Sequence, residues 1–146
     1  MRISVYPRIG IGPVKLGEKH SAVNRALGTP HLERGGTYDG WYRYRSGSIR
    51  IEVSYDTNGM AGRVDSVDTT SRAALIYGHP LIEGLTNLTP IFKSHGWLID
   101  SCSGGVNFTY LEPAGPGTGI RWKNGRLDYV QIDAGGSVGE GCFPLD

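Results

Sequence analysis

The side chains that could act as nucleophiles or metal ligands are few and widely spaced in this chain. They are four histidines and two cysteines, namely His20, His31, His79, His95, Cys102 and Cys142. No two histidines have the H-x-x-x-H spacing that places two imidazoles on one face of a helix. Two cysteines alone are too few to hold a zinc ion. The spacing therefore predicts surface or loop histidines, no metal centre and no cofactor.

The cysteines and carboxylates leave other chemistry open. A cysteine nucleophile requires a histidine folded beside it, and Cys102 is close to His95 only in sequence. Because no signal peptide is recognisable, we expect two free thiols, with a disulfide between Cys102 and Cys142 as the alternative. Four aspartates near predicted strand ends could pair as acid and base, although turns and sheet edges commonly carry such residues: Asp65, Asp68, Asp128 and Asp133. We predict no catalytic residues and a protein that is not an enzyme.

Charge and hydropathy argue against two classes of partner. The 146 residues carry a formal net charge of +1, so the chain has no overall field that would attract nucleic acid. No window approaches the ~18 consecutive apolar residues of a membrane span. Residues 1–12 lack the continuous apolar region of a signal peptide. We expect a single cytoplasmic domain, residues 1–146, that is monomeric alone.

Two helices can be located from residue order. Four apolar residues form one stripe at helical spacing, namely Ala22, Val23, Ala26 and Leu27. Gly28 follows as a helix-ending residue, and Pro30 prevents continuation. A second stripe consists of Leu85, Leu88, Ile91 and Phe92. Thr86 or Thr89 is its candidate N-cap, and Pro90 limits how early this second helix can begin.

Strand signals follow each helix and include the same turn. Residues Ile49–Tyr55 alternate between apolar and polar types, which is typical of a half-buried strand. Asn58-Gly59 predicts a hairpin turn after it, because both residues tolerate positive φ. The second half of the chain has an equivalent turn at Asn124-Gly125. The strand after that turn, Arg126–Val130, echoes Arg63–Val67.

The recurrence predicts an internal repeat. Gly17 and Gly84 are 67 residues apart, and the two Asn-Gly turns are 66 apart. We predict an α+β fold of two tandem repeats, each a helix followed by three strands, at about 9–70 and 78–134. A flexible, glycine-rich tail would occupy 135–146. Side by side, the repeats would form one antiparallel sheet with both helices packed on one face and the other face open.

The open face of that sheet is the candidate binding surface. If Ile49, Ile51 and Val53 face the helices, the residues between them face solvent. The same alternation applies to Trp41–Arg45 and Ile120–Lys123. The outward set is Trp41, Arg43, Arg45, Arg50, Glu52, Arg121 and Lys123. Tryptophan and arginine dominate binding energy at protein interfaces; the alternative is a solvated face on which Arg and Glu pair across strands.

Motifs around the first helix resemble a known family. The lead Gly12-Pro13-Val14-Lys15-Leu16-Gly17 and the helix end Val23…Ala26-Leu27-Gly28-Thr29-Pro30 are similar to the small α+β unit of the SmpA/OmlA (BamE) lipoproteins. The tandem arrangement resembles still more the beta-lactamase inhibitory protein family, which has two such units. The resemblance implies this fold and protein binding through the sheet or its rim.

Together these features predict a bacterial protein-binding module. Its most concrete form is a cytoplasmic inhibitor or immunity protein that neutralises a toxin or an enzyme by blocking its active site. The expected partner is a protein, not nucleic acid or a membrane. Two alternatives remain: a BamE-like envelope scaffold whose signal has been removed, and an enzyme with a site in the cleft between the repeats.

Overall fold

Two α-helices, one short 3-10 helix and fourteen strands make up the regular structure of the described residues. The computed structural model describes residues 2–29, 32–33, 41–56, 62–102, 105–111, 116–124, 126–135 and 143–144. The strands form two sheets, one of five strands and one of nine. The α+β class is confirmed, whereas the prediction of a single sheet is wrong.

The smaller sheet is built from a hairpin ahead of each helix and from the N-terminal strand. Its strands are β1 (Ile3–Tyr6), β2 (Gly10–Ile11), β3 (Val14–Lys15), β8 (Ala74–Ile76) and β9 (His79–Pro80). They lie in the order β3-β2-β1-β8-β9. Because β1 runs parallel to β8, it ties the two repeats together. The sequence analysis missed this sheet because most of its strands are too short to show an alternation.

The first helix ends at a glycine. The first helix, α1, spans His20–Leu27, and its Val23 side chain is fully buried. Gly28 follows with φ of 82°, and its N–H donates to the Asn24 carbonyl at 2.7 Å. This confirms the predicted end of α1.

Within the described part of the chain, no helix is long and apolar enough to span a membrane.

The second helix, α2, begins earlier than its proline suggested. It spans Leu85–Ser94, so Pro90 lies inside it. Its N-cap is Gly84, at φ of 92°, and no side chain caps the first turn. The predicted threonine cap is therefore wrong. Thr89 instead donates its hydroxyl to the Leu85 carbonyl at 2.7 Å, within the helix.

The larger sheet contains four strands from each repeat rather than the predicted three. The first repeat contributes β4 (Leu32–Glu33), β5 (Trp41–Ser46), β6 (Ile49–Tyr55) and β7 (Val64–Thr69). The second contributes β10 (Leu98–Cys102), β11 (Gly105–Leu111), β12 (Gly117–Lys123) and β13 (Arg126–Asp133). Every pair of neighbours that includes two of these strands is antiparallel. The extra strands, β4 and β10, lie on the outer side of the three predicted ones.

A ninth strand lies within the predicted glycine-rich tail. Phe143–Pro144 forms β14, which pairs with Asp100 and Ser101 at the edge of the sheet. Without β14, strand β10 would be the edge of the sheet, and its unpaired backbone N–H and C=O groups could bind an extended segment beside it. Residues 136–142 of the predicted tail lie outside the described part of the chain.

The two repeats join through their last strands with local two-fold symmetry. Strand β13 pairs with β7, and the register sets Val67 opposite Ile132 and Thr69 opposite Val130. In the sequence repeat, Val67 is equivalent to Val130. Each of these pairs is therefore the symmetry copy of the other. The pair between them, Asp68 and Gln131, lies on the axis.

One face of the larger sheet is covered by the helices and the small sheet. Fully buried side chains between the layers are Tyr44, Ile51, Ile120 and Ile132 of the sheet and Leu88 and Phe92 of α2. The Tyr44 and Tyr55 hydroxyls lie 2.8 Å apart in a buried hydrogen bond. Burial of the Tyr55 ring, together with this hydrogen bond, raises the pKa of its hydroxyl. The covered face therefore supplies the core of the protein.

Candidate functional site

The opposite, open face carries the side chains that alternate with this core. Ile49, Ile51 and Val53 are buried, as the alternation predicted, whereas Arg50 is exposed and Glu52 is partly exposed. The two sides of β6 therefore differ in polarity as expected of a sheet with one covered face. The charged residues between the core positions project from the open face.

A row of cross-strand neighbours defines the centre of the open face. The register places them side by side in the order Arg43, Glu52, Asp68, Gln131, Gly119 and Thr109. We call this the central row. On the side of the first repeat it contains an arginine and a glutamate. The equivalent positions of the second repeat are occupied by the uncharged residue types Thr109 and Gly119.

The outer part of the central row is neutralised by an ion pair. An Arg43 guanidinium nitrogen lies 3.1 Å from Glu52 Oε1, and Nε of Arg43 is 3.3 Å from the same atom. The two side chains are 23% and 30% exposed. This bond directs the Arg43 fork at one glutamate oxygen and holds both side chains over the sheet.

Asp68 is the unusual member of the central row. Its Oδ1 atom is buried and accepts no hydrogen bond from any residue that the structure describes. Burial raises the pKa of the Asp68 carboxyl to about 7, and the negative charges of Glu52 and Asp128 add to the effect. Asp68 lines a cavity of about 100 Å³ together with Arg50, Glu52, Thr69 and Thr70. A carboxyl group with these properties in a cavity is typical of a functional site.

Arg121 lies beside this group and is less accessible than predicted. Only 7% of the residue is exposed, which corrects the expectation of a solvent-facing side chain. Its Nε atom lies 3.5 Å from Oδ2 of Asp128. A β-bulge lies here, because the register shifts between Arg121 and Trp122 and leaves Asp128 unpaired opposite them. Asp128 can then approach Arg121 from the neighbouring strand.

The first repeat has a bulge at the equivalent place. The register shifts between Ser54 and Tyr55, and Asp65 is the extra residue. Burial raises the pKa of the Asp65 carboxyl, with smaller contributions from Asp133 and Asp56. The repeat thus conserves a bulged aspartate, but only the second repeat places an arginine opposite it.

The four predicted aspartates are therefore strand residues that interact in pairs. Asp68 is influenced by Asp128, and Asp65 by Asp133. The expectation of turn or sheet-edge positions is wrong for Asp68, which lies near the middle of the nine-stranded sheet. The signal for this placement was its position between Val67 and Thr69, both core residues.

Among the remaining predicted binding residues, Arg50 lines the cavity beside Asp68. Arg45 and Arg50 are cross-strand partners and are both exposed. Lys123 is exposed at the end of the β12–β13 hairpin, opposite Arg126. The backbone of Trp41 pairs with Ser54, but its side chain lies outside the described part of the structure. The described site therefore contains Arg43, Glu52, Asp68, Asp128 and Arg121, with the exposed arginines around it.

The histidines have separate surroundings. The ring of His95 stacks on Tyr77 at 3.7 Å between centroids, and that of His20 meets the edge of Tyr55 at 5.8 Å. Nδ1 of His79 lies 3.5 Å from Oε2 of Glu83. His31, Cys142 and the side chain of Cys102 are outside the described residues, so the predictions about the thiols stay predictions. Among the described residues, no three His, Cys, Asp or Glu side chains are grouped to hold a metal ion.

Comparisons with known proteins show a likeness in fold only. No family model matches the chain, and no curated protein matches it. A solved structure that is similar is that of a DUF4309 family protein (YjgB) from Bacillus subtilis, with a TM-score of 0.53 and 13% sequence identity. The match covers 78% of this chain and 76% of that chain. This likeness supports the overall architecture and carries no information about the site.

Proposed function

We propose that this protein is a non-enzymatic binding module that recognises a partner protein through the open face of its larger sheet. In the most concrete form it is an inhibitor or immunity protein that covers the active site of a toxin or an enzyme. The observation that carries the proposal is the buried, unsatisfied Oδ1 of Asp68 at the centre of that face. A buried acceptor without a donor destabilises the free protein.

A partner can supply the missing donor. A lysine or arginine side chain entering the cavity would reach Asp68 and Glu52, and its charge would favour ionisation of Asp68. Because the carboxyl belongs to a strand of a large sheet, it is held in position before the partner arrives. Pre-organisation of this kind lowers the entropy lost on binding.

The arginines around the cavity add positive charge to a surface whose centre is acidic. Arg45 and Arg50 are exposed and make no ion pair with any described residue. They are available to acidic groups of the partner at the rim of the interface. An acidic centre with a basic rim favours a partner whose basic residue is flanked by acidic ones.

Affinity capture from a lysate of the source organism tests the proposal. The tagged baits are the unaltered protein, Asp68→Asn, Arg50→Gln and a control, Lys93→Gln, whose exposed side chain lies on α2. We expect one stoichiometric protein, captured by the unaltered bait and the control, weakened with Arg50→Gln and lost with Asp68→Asn. Retention of that protein by Asp68→Asn, or its absence from every bait, would contradict the proposal. The identity of the captured protein would separate an inhibitor from an envelope scaffold.

A second candidate function rests on the raised pKa of the Asp68 carboxyl. A carboxyl with a pKa near 7 in a cavity is suited to act as a general acid or base. The alternative is an enzyme whose site lies where the two repeats join. This alternative predicts that Asp68→Asn abolishes turnover of a small substrate, without loss of a stoichiometric protein partner.

A further inference from the structure

A second cavity lies on the other side of the sheet from Asp68. It has a volume of about 120 Å³ and is bounded by the short helical turn Leu81–Glu83, the start of α2 and the β12–β13 hairpin. Its lining residues are Arg72, Leu81, Ile82, Gly84, Trp122, Arg126 and Leu127. Trp122 packs against Phe92 of α2, with ring centroids 6.4 Å apart, so the cavity belongs to the covered side.

The cavity combines an apolar floor with two cationic side chains. Leu81 and Trp122 are buried, and Leu127 is half-buried. Ile82, which also lines the cavity, is 66% exposed. Arg72 and Arg126 are exposed, and neither side chain makes a hydrogen bond or an ion pair with the described residues.

We infer that this cavity binds a carboxylate that is joined to a small apolar group. Two like charges at one rim repel each other, so an anion between them is favoured. An arginine fork matches the two oxygens of a carboxylate. The apolar floor requires that the anion carry an apolar substituent, and Ile82 extends that floor to the surface.

The volume limits the size of the apolar group. A dry apolar cavity of about 150 Å³ holds a benzene ring. A cavity of about 120 Å³ therefore accepts a side chain the size of leucine. Such a group occurs next to a carboxylate in an N-acylated apolar amino acid and in the C-terminal residue of a peptide. The chemistry recognised is the same in both, and this site is independent of the open face.

The test measures binding by chemical-shift changes of backbone amides. The probes are N-acetyl-leucine, its amide, inorganic phosphate, and a short peptide ending in leucine with a free or an amidated C-terminus. We expect the acid or the peptide with the free carboxylate to shift amides around Ile82, Gly84 and Leu127 at millimolar concentration. The amides and phosphate would bind at least tenfold more weakly. The relative affinities of free acid and peptide identify the natural form of the ligand.

Variants link the binding to the named residues. Arg72→Gln and Arg126→Gln should each weaken binding about tenfold, since a charge-assisted hydrogen bond is lost. Ile82→Ser should weaken it less. Arg25→Gln, an exposed arginine on α1, is the matched control and should leave it unchanged. Equal binding of acid and amide, unchanged binding by Arg126→Gln, or no shifts at about 10 mM of the acid and the free-carboxylate peptide would overturn the inference.

Discussion

The two faces of the nine-stranded sheet are made by the same strands but follow different rules. On the covered face, the side chains are apolar and closely packed, and the Tyr44 and Tyr55 hydroxyls satisfy each other. On the open face, Asp68 has a buried oxygen without a described partner, next to two other carboxylates. One face stabilises the fold, and the other retains a group that destabilises it. Such a residue is expected where function, rather than stability, has determined the side chain.

The largest effect should come from the covered face. Phe92 is fully buried and its ring lies 4.8 Å from that of Trp97. Phe92→Ala should lower the free energy of unfolding by about 3–5 kcal/mol, because it removes buried apolar area and leaves a cavity. Denaturant unfolding measures this change. Lys93→Ala, on the exposed side of α2, is the control and should change stability by less than about 0.5 kcal/mol.

The next largest effect should be an increase in the free energy of unfolding, caused by a substitution on the open face. Asp68 keeps its proton in the folded protein up to a pH of about 7, but its ordinary pKa is 3.8. The raised pKa contributes fully to the free energy of unfolding at pH values below this ordinary pKa. That contribution decreases as the pH rises to about 7. Asp68→Asn removes this loss, so we expect the variant to be more stable than the unaltered protein at pH 8, by up to about 4 kcal/mol.

This gain should shrink towards pH 4, where asparagine and a protonated aspartate are nearly equivalent. Denaturant unfolding at several pH values measures the trend, with Glu83→Gln as a control at an exposed carboxyl outside the open face. A variant that is less stable than the unaltered protein at pH 8 would mean that the Asp68 carboxylate is satisfied in the free protein.

A smaller effect should distinguish a satisfied polar group from an unsatisfied one. Tyr44→Phe leaves the buried Tyr55 hydroxyl without its partner and should cost about 1–2 kcal/mol. The double variant with Tyr55→Phe should lose less than the sum of the two single changes. Additive losses in the cycle would show that the 2.8 Å hydrogen bond contributes little.

The smallest effect on stability is expected at the outer part of the central row. Arg43 and Glu52 are partly exposed, and ion pairs of this kind contribute little. Arg43→Gln should change the free energy of unfolding by less than about 0.5 kcal/mol, measured by denaturant. A loss above about 1 kcal/mol would assign Arg43 a structural role on the open face.

Residue order was sufficient to predict much of the fold. The alternation of Ile49–Tyr55 predicted which side of β6 is buried, and Gly28 marked the end of α1. The sequence echo between Arg63–Val67 and Arg126–Val130 predicted equivalent strands, which correspond to β7 and β13, neighbours in the larger sheet. These signals are local, so they depend on no knowledge of strand pairing.

The small sheet and the site depend on pairing between distant strands. The parallel contact of β1 with β8 joins residues about 70 positions apart and leaves no periodic signal. Asp68 enters the centre of the open face only because β7 meets β13. Arg121 comes beside Asp128 through a bulge in the pairing of β12 with β13. The sequence analysis identified these residues as candidates but could not predict which of them lie close together in the fold.

The titration of Asp68 tests the central claim most directly. The carboxyl carbon resonance of Asp68, assigned by its loss in Asp68→Asn, can be followed by NMR between pH 3 and pH 9. We predict a midpoint near 7, as expected for a carboxyl near Glu52 and Asp128 whose buried Oδ1 accepts no hydrogen bond from the described residues. A midpoint near the ordinary value of 3.8 would show that the carboxylate is already solvated or hydrogen-bonded, and would contradict the view that the open face holds it ready for a partner.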